Sequence, residues 1–146
     1  MHRETSSTAQ VYEAQLRVRY AETDQMGVVY HANYIVWFEV GRVEMLRQMG
    51  FTYRDMEKYD NVHIVVIDVH CRYKASAHYD DLITVRTWLS HVRESRLHFG
   101  YELVRAQDGK KLAEGESVHL VTDAQFKRFP LPEKYLAPFL KAAGKS

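Results

Sequence analysis

Residues Ile35-Val-Trp-Phe-Glu-Val-Gly-Arg-Val-Glu-Met-Leu-Arg-Gln-Met49 decide the fold. The run has the length of a helix, and its Glu, Met, Leu and Arg content favours one. Gly50 supplies a C-terminal stop. Trp37, Phe38, Val40, Val43, Met45 and Leu46 occupy most of the circumference, the pattern of a mostly buried helix. Gly41 inside it costs about 1 kcal/mol against alanine, which marks a close backbone contact.

The segments around this helix read differently. Ala14 to Tyr20 alternates, with Leu16, Val18 and Tyr20 on one face, and predicts a half-buried strand. Residues 21–33 are irregular, with Gly27 as the turn. A short helix is expected from near Thr52 to just before Asp60. Strands follow at Ile64–Val69, Leu82–Leu89, Leu97–Val104 and Lys111–Thr122. Asp108-Gly109 is a hairpin signal, and Asp80-Asp81 and Arg93-Glu94-Ser95 mark other turns. Pro130 and Pro132 end the sheet, and Glu133 to Ala143 reads as a terminal helix. One strand, a buried helix, then antiparallel strands wrapped on that helix make an α+β fold. Residues 1–10 are expected to be a flexible arm, and 11–146 one domain. A curved sheet with one covered face leaves edges, so sheets are expected to pair between two chains.

Bulk properties narrow the function. A chain of 146 residues, 46% hydrophobic and with net charge +1, is an ordinary globular domain. Basic and acidic residues alternate, so no nucleic-acid footprint is present. Cys71 is the lone cysteine, which excludes an intrachain disulfide. The polar N-terminus lacks the apolar core of a signal peptide, and Glu39 and Arg42 interrupt the longest apolar run, so no membrane insertion is expected. A cytoplasmic protein is the expectation.

The chemistry concentrates just before the helix, in Asp24-Gln-Met-Gly-Val-Val-Tyr-His-Ala-Asn-Tyr34. A carboxylate facing helix-terminal amides can attack an activated carbonyl, or activate water, while the amides hold the oxyanion. Asp24 is also the kind of residue that bonds its own backbone in an Asx-turn. His31 offers a backbone N–H and an imidazole, or is simply a polar residue beside an N-cap at Asn33. Tyr20, Tyr30 and Tyr34 surround the loop and either hold substrate or pack. Gly27 serves backbone geometry.

Elsewhere the pattern is weaker. Glu39 and Glu44 on the helix are expected to pair with Arg17, Arg42 or another cation. Eight histidines lack metal-ligand spacing, so no metal is expected. There is no dinucleotide fingerprint, phosphate loop or serine-hydrolase elbow. Arg93 with Arg96, and Lys127 with Arg128, can meet phosphates or form a solvated rim.

Asp24-x-x-Gly27-Val-Val-Tyr30-His31-Ala-Asn33-Tyr34, with Trp37-Phe38-Glu39 and Arg42, resembles the signature of the hotdog-fold acyl-CoA thioesterases, of the 4-hydroxybenzoyl-CoA and Tol-Pal-associated type. Cys71-x-Tyr73, Ala77, Asp81, Ser95, Asp108-Gly109, Asp123, Pro130 and Pro132 fit the same pattern, so the resemblance runs from about Leu16 to Glu133. Ser76 departs from it, standing where many relatives carry proline. The resemblance implies an antiparallel sheet wrapped around a long central helix. It implies a homodimer or homotetramer with sites at subunit interfaces, and no cofactor. By resemblance Asp24 is the nucleophile or general base, His31 supplies a donor to the thioester oxygen, and Tyr20 is accessory. Gly27, Tyr30, Asn33 and Tyr34 would line the substrate, and Arg93, Ser95, Lys127 and Arg128 would meet coenzyme A. A non-catalytic acyl-CoA or acyl-carrier-protein binding module and an enoyl-thioester hydratase are the competing readings.

Overall fold

The structure is a computed structural model that describes residues 8–145. Strand β1 (Tyr12–Arg17) and a 3-10 turn (Tyr20–Glu22) lead into helices α1 (Ala32–Gln48) and α2 (Tyr53–Asp60). Strands β2 (His63–Tyr73), β3 (Leu82–Val92), β4 (Arg96–Arg105) and β5 (Lys111–Thr122) follow, and helix α3 (Glu133–Ala142) closes the order. The five strands form one antiparallel sheet in the order β1-β3-β4-β5-β2. This is the expected α+β layout, a hotdog arrangement of sheet around a long helix.

Helix α1 packs on the sheet through Tyr34, Trp37, Phe38, Gly41, Arg42, Met45 and Leu46. Phe38 stacks on Tyr101 of β4 with ring centroids 4.4 Å apart. Burying a side chain of that size contributes about 1.5–3 kcal/mol. Gly41 is the close contact its presence implied: a Cβ there would run into Thr87 and Val85 of β3. The helix is less enclosed than its composition suggests. Ile35 and Val36 stay 36% and 47% exposed, because that stripe faces away from the chain's own sheet.

Some boundaries shift for local reasons. Strand β1 stops at Arg17, and Tyr20 leaves the sheet at 76% exposure. The Glu22 carboxylate accepts the Arg19 N–H at 2.8 Å and closes a turn there. Strand β2 runs on to Tyr73, paired with β5 as far as Ala113. Its outer half lacks apolar alternation because it is an exposed edge. A bulge lies between Val66 and Asp68.

Of the carboxylates on α1, Glu44 finds a cation as expected, though neither Arg17 nor Arg42. Glu44 pairs with Arg47 at 3.3 Å, one turn along. Arg42 bonds the hydroxyls of Tyr53 and Tyr101, and Arg17 bonds the Asp80 carbonyl. Of the expected N-terminal arm, residues 1–7 lie outside the described residues. Gln10 donates its N–H to the Ala142 carbonyl at 2.8 Å, against α3. Among the described residues no helix is long and apolar enough to cross a membrane.

Candidate active site

The loop between β1 and α1 is a small hairpin. Tyr30 N–H donates to Glu22 O at 2.9 Å at its root. Thr23 and Val29 form a bridge, and Asp24 N–H donates to Val28 O at 2.8 Å. Asp24 sits at the tip, exposed. Its Oδ1 accepts the N–H of Met26 at 2.8 Å and of Val28 at 3.4 Å. This is the Asx-turn, and it fixes the carboxylate rather than consuming it. No partner of Oδ2 is found among the described residues. Gly27 closes the tip with φ +85°, a conformation that favours glycine.

Helix α1 starts two residues earlier than an N-cap at Asn33 requires. Its N-cap is His31, without a side-chain capping bond. The Asn33 side chain instead donates to Glu22 O at 3.0 Å, tying the helix to the loop root. The Asn33 and Tyr34 amides go to the Tyr30 and His31 carbonyls. The amides of His31 and Ala32 have no acceptor among the described residues, so the first turn presents free donors and the positive end of the helix dipole.

Aromatic rings surround this corner. The Tyr73 hydroxyl donates to the His31 carbonyl at 3.0 Å, and the Tyr30 and His31 ring centroids lie 4.6 Å apart. Tyr34 is buried, and its hydroxyl donates to Ala75 O and accepts from Ala77 N–H. That hydroxyl pins the loop after β2 to the helix start. Tyr20 faces Tyr79 edge-on at 5.7 Å.

A second group forms where β3 turns into β4. Arg128 Nε donates to Ser95 Oγ at 2.7 Å, joining two of the expected phosphate contacts. Arg93 Nε donates to His91 Nε2 at 2.9 Å, and Arg96 Nε donates to His98 Nε2 at 3.3 Å. The backbone N–H of Lys127 donates to Asp123 Oδ1 in the neighbouring turn. Burial, helped by the arginines, lowers the pKa of both His91 and His98. That shift favours the neutral imidazoles, which accept from the guanidiniums. Sequence reasoning missed His91 and His98 as members. The near-palindrome His91-Val-Arg-Glu-Ser-Arg-Leu-His98 was the available signal, since a hairpin sets its two halves opposite each other.

The two groups lie at opposite ends of β3. That strand holds 11 residues, about 33 Å of chain. Among the described residues no three His, Cys, Asp or Glu side chains converge as metal ligands would.

The sequence profile of the Thioesterase-like superfamily matches residues 18–139. YneP of Bacillus subtilis is 40% identical over 115 residues, spanning 79% of this chain and 82% of its own. The acyl-CoA thioester hydrolase YbgC of Escherichia coli is 34% identical over 125 residues, spanning 85% of this chain and 92% of its own. The DHNA-CoA thioesterase structure from Staphylococcus aureus superposes with a TM-score of 0.82 at 32% identity, covering 92% of this chain and 89% of that one.

Proposed function

Because the chain belongs to the thioesterase-like superfamily, we propose that it hydrolyses acyl-CoA thioesters to a free carboxylic acid and coenzyme A. The observation that carries this reading is Asp24 itself. One carboxylate oxygen is locked by two backbone amides, and the other is open at an exposed loop tip. The amides of His31 and Ala32, without an acceptor among the described residues, start the helix that follows.

In the reaction the Asp24 carboxylate attacks the thioester carbon, or takes a proton from the water that does. The carbonyl oxygen gains negative charge, and amides of the first helical turn hold it. The C–S bond then breaks, the thiolate takes up a proton, and water supplies the oxygen of the new acid. Tyr30, Tyr34, Gly27 and Asn33 shape the loop around the acyl group, with Tyr20 at its edge.

Coenzyme A carries phosphates, and Arg93, Arg96, Arg128 and Lys127 offer cations for them. Asp24 and that basic turn are a strand apart within one chain. We infer that a second copy closes the gap. Strand β2 is an edge with Val66 and Ile67 exposed, a surface that invites pairing. Antiparallel pairing of two β2 strands brings the Tyr73 end of one copy beside the His63 end of the other. The basic turn of one chain then approaches the Asp24 loop of its mate. The open stripe of α1 at Ile35 and Val36 leaves a surface for pairing dimers into a homotetramer. A cytoplasmic setting, where coenzyme A thioesters are made, fits this substrate.

Thiol release across short, long and aromatic acyl-CoAs tests the reading. Turnover of one class identifies the acyl group. Saturable binding with no thiol released from any acyl-CoA or acyl-carrier-protein thioester contradicts it.

A further inference from the structure

Glu22 is a carboxylate in the core, 6% exposed. Its one ion-pair partner among the described residues, Arg19, is 75% exposed on its side chain and 3.5 Å away. A carboxylate so placed is costly unless its hydrogen bonds are met. Oε1 accepts the Arg19 N–H at 2.8 Å, and Oε2 accepts the indole N–H of Trp37 at 3.1 Å. The Glu22 carbonyl accepts from Tyr30 N–H and from the Asn33 side chain. Glu22 thus touches the exit of β1, the return limb of the Asp24 hairpin and two turns of α1.

We propose that Glu22 is the positioning residue of the site: its carboxylate, held by Trp37, fixes the Asp24 loop tip against the first turn of α1. The inference rests on the thioesterase reading for its effect on rate, though not for its effect on the loop. Among the described residues, the other direct hydrogen bonds between hairpin root and helix start run through backbone atoms of Tyr30 and Glu22 or through the short Asn33 side chain. Among the described residues, the Glu22–Trp37 bond is the direct side-chain hydrogen bond from this turn into the fully buried face of α1. It locks the angle between the carboxylate and the free amides. A site misplaced by an ångström loses rate steeply.

Glu22→Gln is the discriminating change. An amide offers one oxygen and one NH₂ where the carboxylate offers two acceptors. With the oxygen on Arg19 N–H, the NH₂ faces the Trp37 indole N–H, donor against donor. Trp37→Phe removes the opposing donor. Steady-state kinetics and amide spectra of wild type, both single variants and the double variant test the proposal. Glu22→Gln is expected to lower kcat about tenfold or more with KM within about twofold. The double variant is expected to be no slower than Glu22→Gln, because the two changes remove one shared bond. In ¹⁵N spectra the Met26 and Val28 amides, which bond Asp24 Oδ1, shift in Glu22→Gln.

A folded Glu22→Gln with wild-type kcat overturns the proposal. So do losses that multiply in the double variant, or Met26 and Val28 amides that do not move. A shift of those amides in a chain that hydrolyses nothing supports the positioning role and overturns the thioesterase reading instead.

Discussion

Arg42 Nη1 donates to Tyr101 Oη at 3.0 Å, and no carboxylate bonds either side chain among the described residues. Arg42 is 9% exposed. Burial works against its charge, and the hydroxyls of Tyr101 and Tyr53 outweigh that and raise its pKa. Tyr101 passes the chain on to Ser117 at 2.5 Å, and Ser117 to His119 at 2.7 Å. A buried charge thus rests on neutral acceptors. Tyr101→Phe leaves the guanidinium and Ser117 short of a partner, and is expected to cost about 1–3 kcal/mol. Urea unfolding with an unchanged m-value measures it, and a variant as stable as wild type contradicts the account.

His119, at the end of that chain, makes stability depend on pH. It is fully buried, and burial, with Arg42 and His98 adding, pushes its pKa from 6.5 down to about 3. The unfolded chain therefore binds a proton that the folded chain refuses. The stabilisation is complete above pH 6.5 and is lost as pH falls toward 3. The slope in that window approaches about 1.4 kcal/mol per pH unit for one proton. His119→Gln is expected to flatten the profile there by about one proton. Unfolding at a series of pH values checks this, and an unchanged slope counts against a neutral buried His119.

Gly41→Ala sets helix propensity against packing. Alanine gains about 1 kcal/mol in a helix interior. Its methyl also meets Thr87 and Val85 of β3, and overpacking of this kind costs about 1–3 kcal/mol. The expected net result is a lower melting temperature. A higher one would mean that α1 can move off the sheet freely.

The proposed sharing of the site between two copies predicts complementation. Asp24→Asn and Arg93→Ala/Arg128→Ala, each weak alone, are expected to regain activity when unfolded together and refolded as mixed dimers. A mixed dimer carries one intact site only if Asp24 and the basic turn come from different chains. Mixing that restores nothing places both groups in one chain.

Much of this was legible from residues alone. Leu82–Leu89 and Leu97–Val104 alternate because one face is covered and the other wet, and they fall inside β3 and β4. Gly41 announced its contact with β3. Asp24 drew attention by spacing, and the Asx-turn and the open oxygen both follow from it. Other features depend on partners far along the chain. Glu22 reads as an ordinary loop acid, because nothing local says that Trp37 will turn its indole toward it. Asn33 looks like an N-cap by type, but its side chain is drawn to Glu22 O. The tail of β2 has no apolar alternation, since an edge is held by backbone pairing with β5. Arg42 is one of several cations that the acids of α1 could reach by sequence, and only the tertiary fold supplies Tyr53 and Tyr101 instead.

The central claim is that Asp24 does the chemistry, and Asp24→Asn tests it most directly. Asparagine keeps the side-chain oxygen that accepts from Met26 and Val28, so the loop should hold its shape. Thiol release from the best acyl-CoA substrate is expected to fall about 100- to 10,000-fold in kcat, with melting temperature and KM near wild type. Turnover at the wild-type rate in the folded variant would contradict the account.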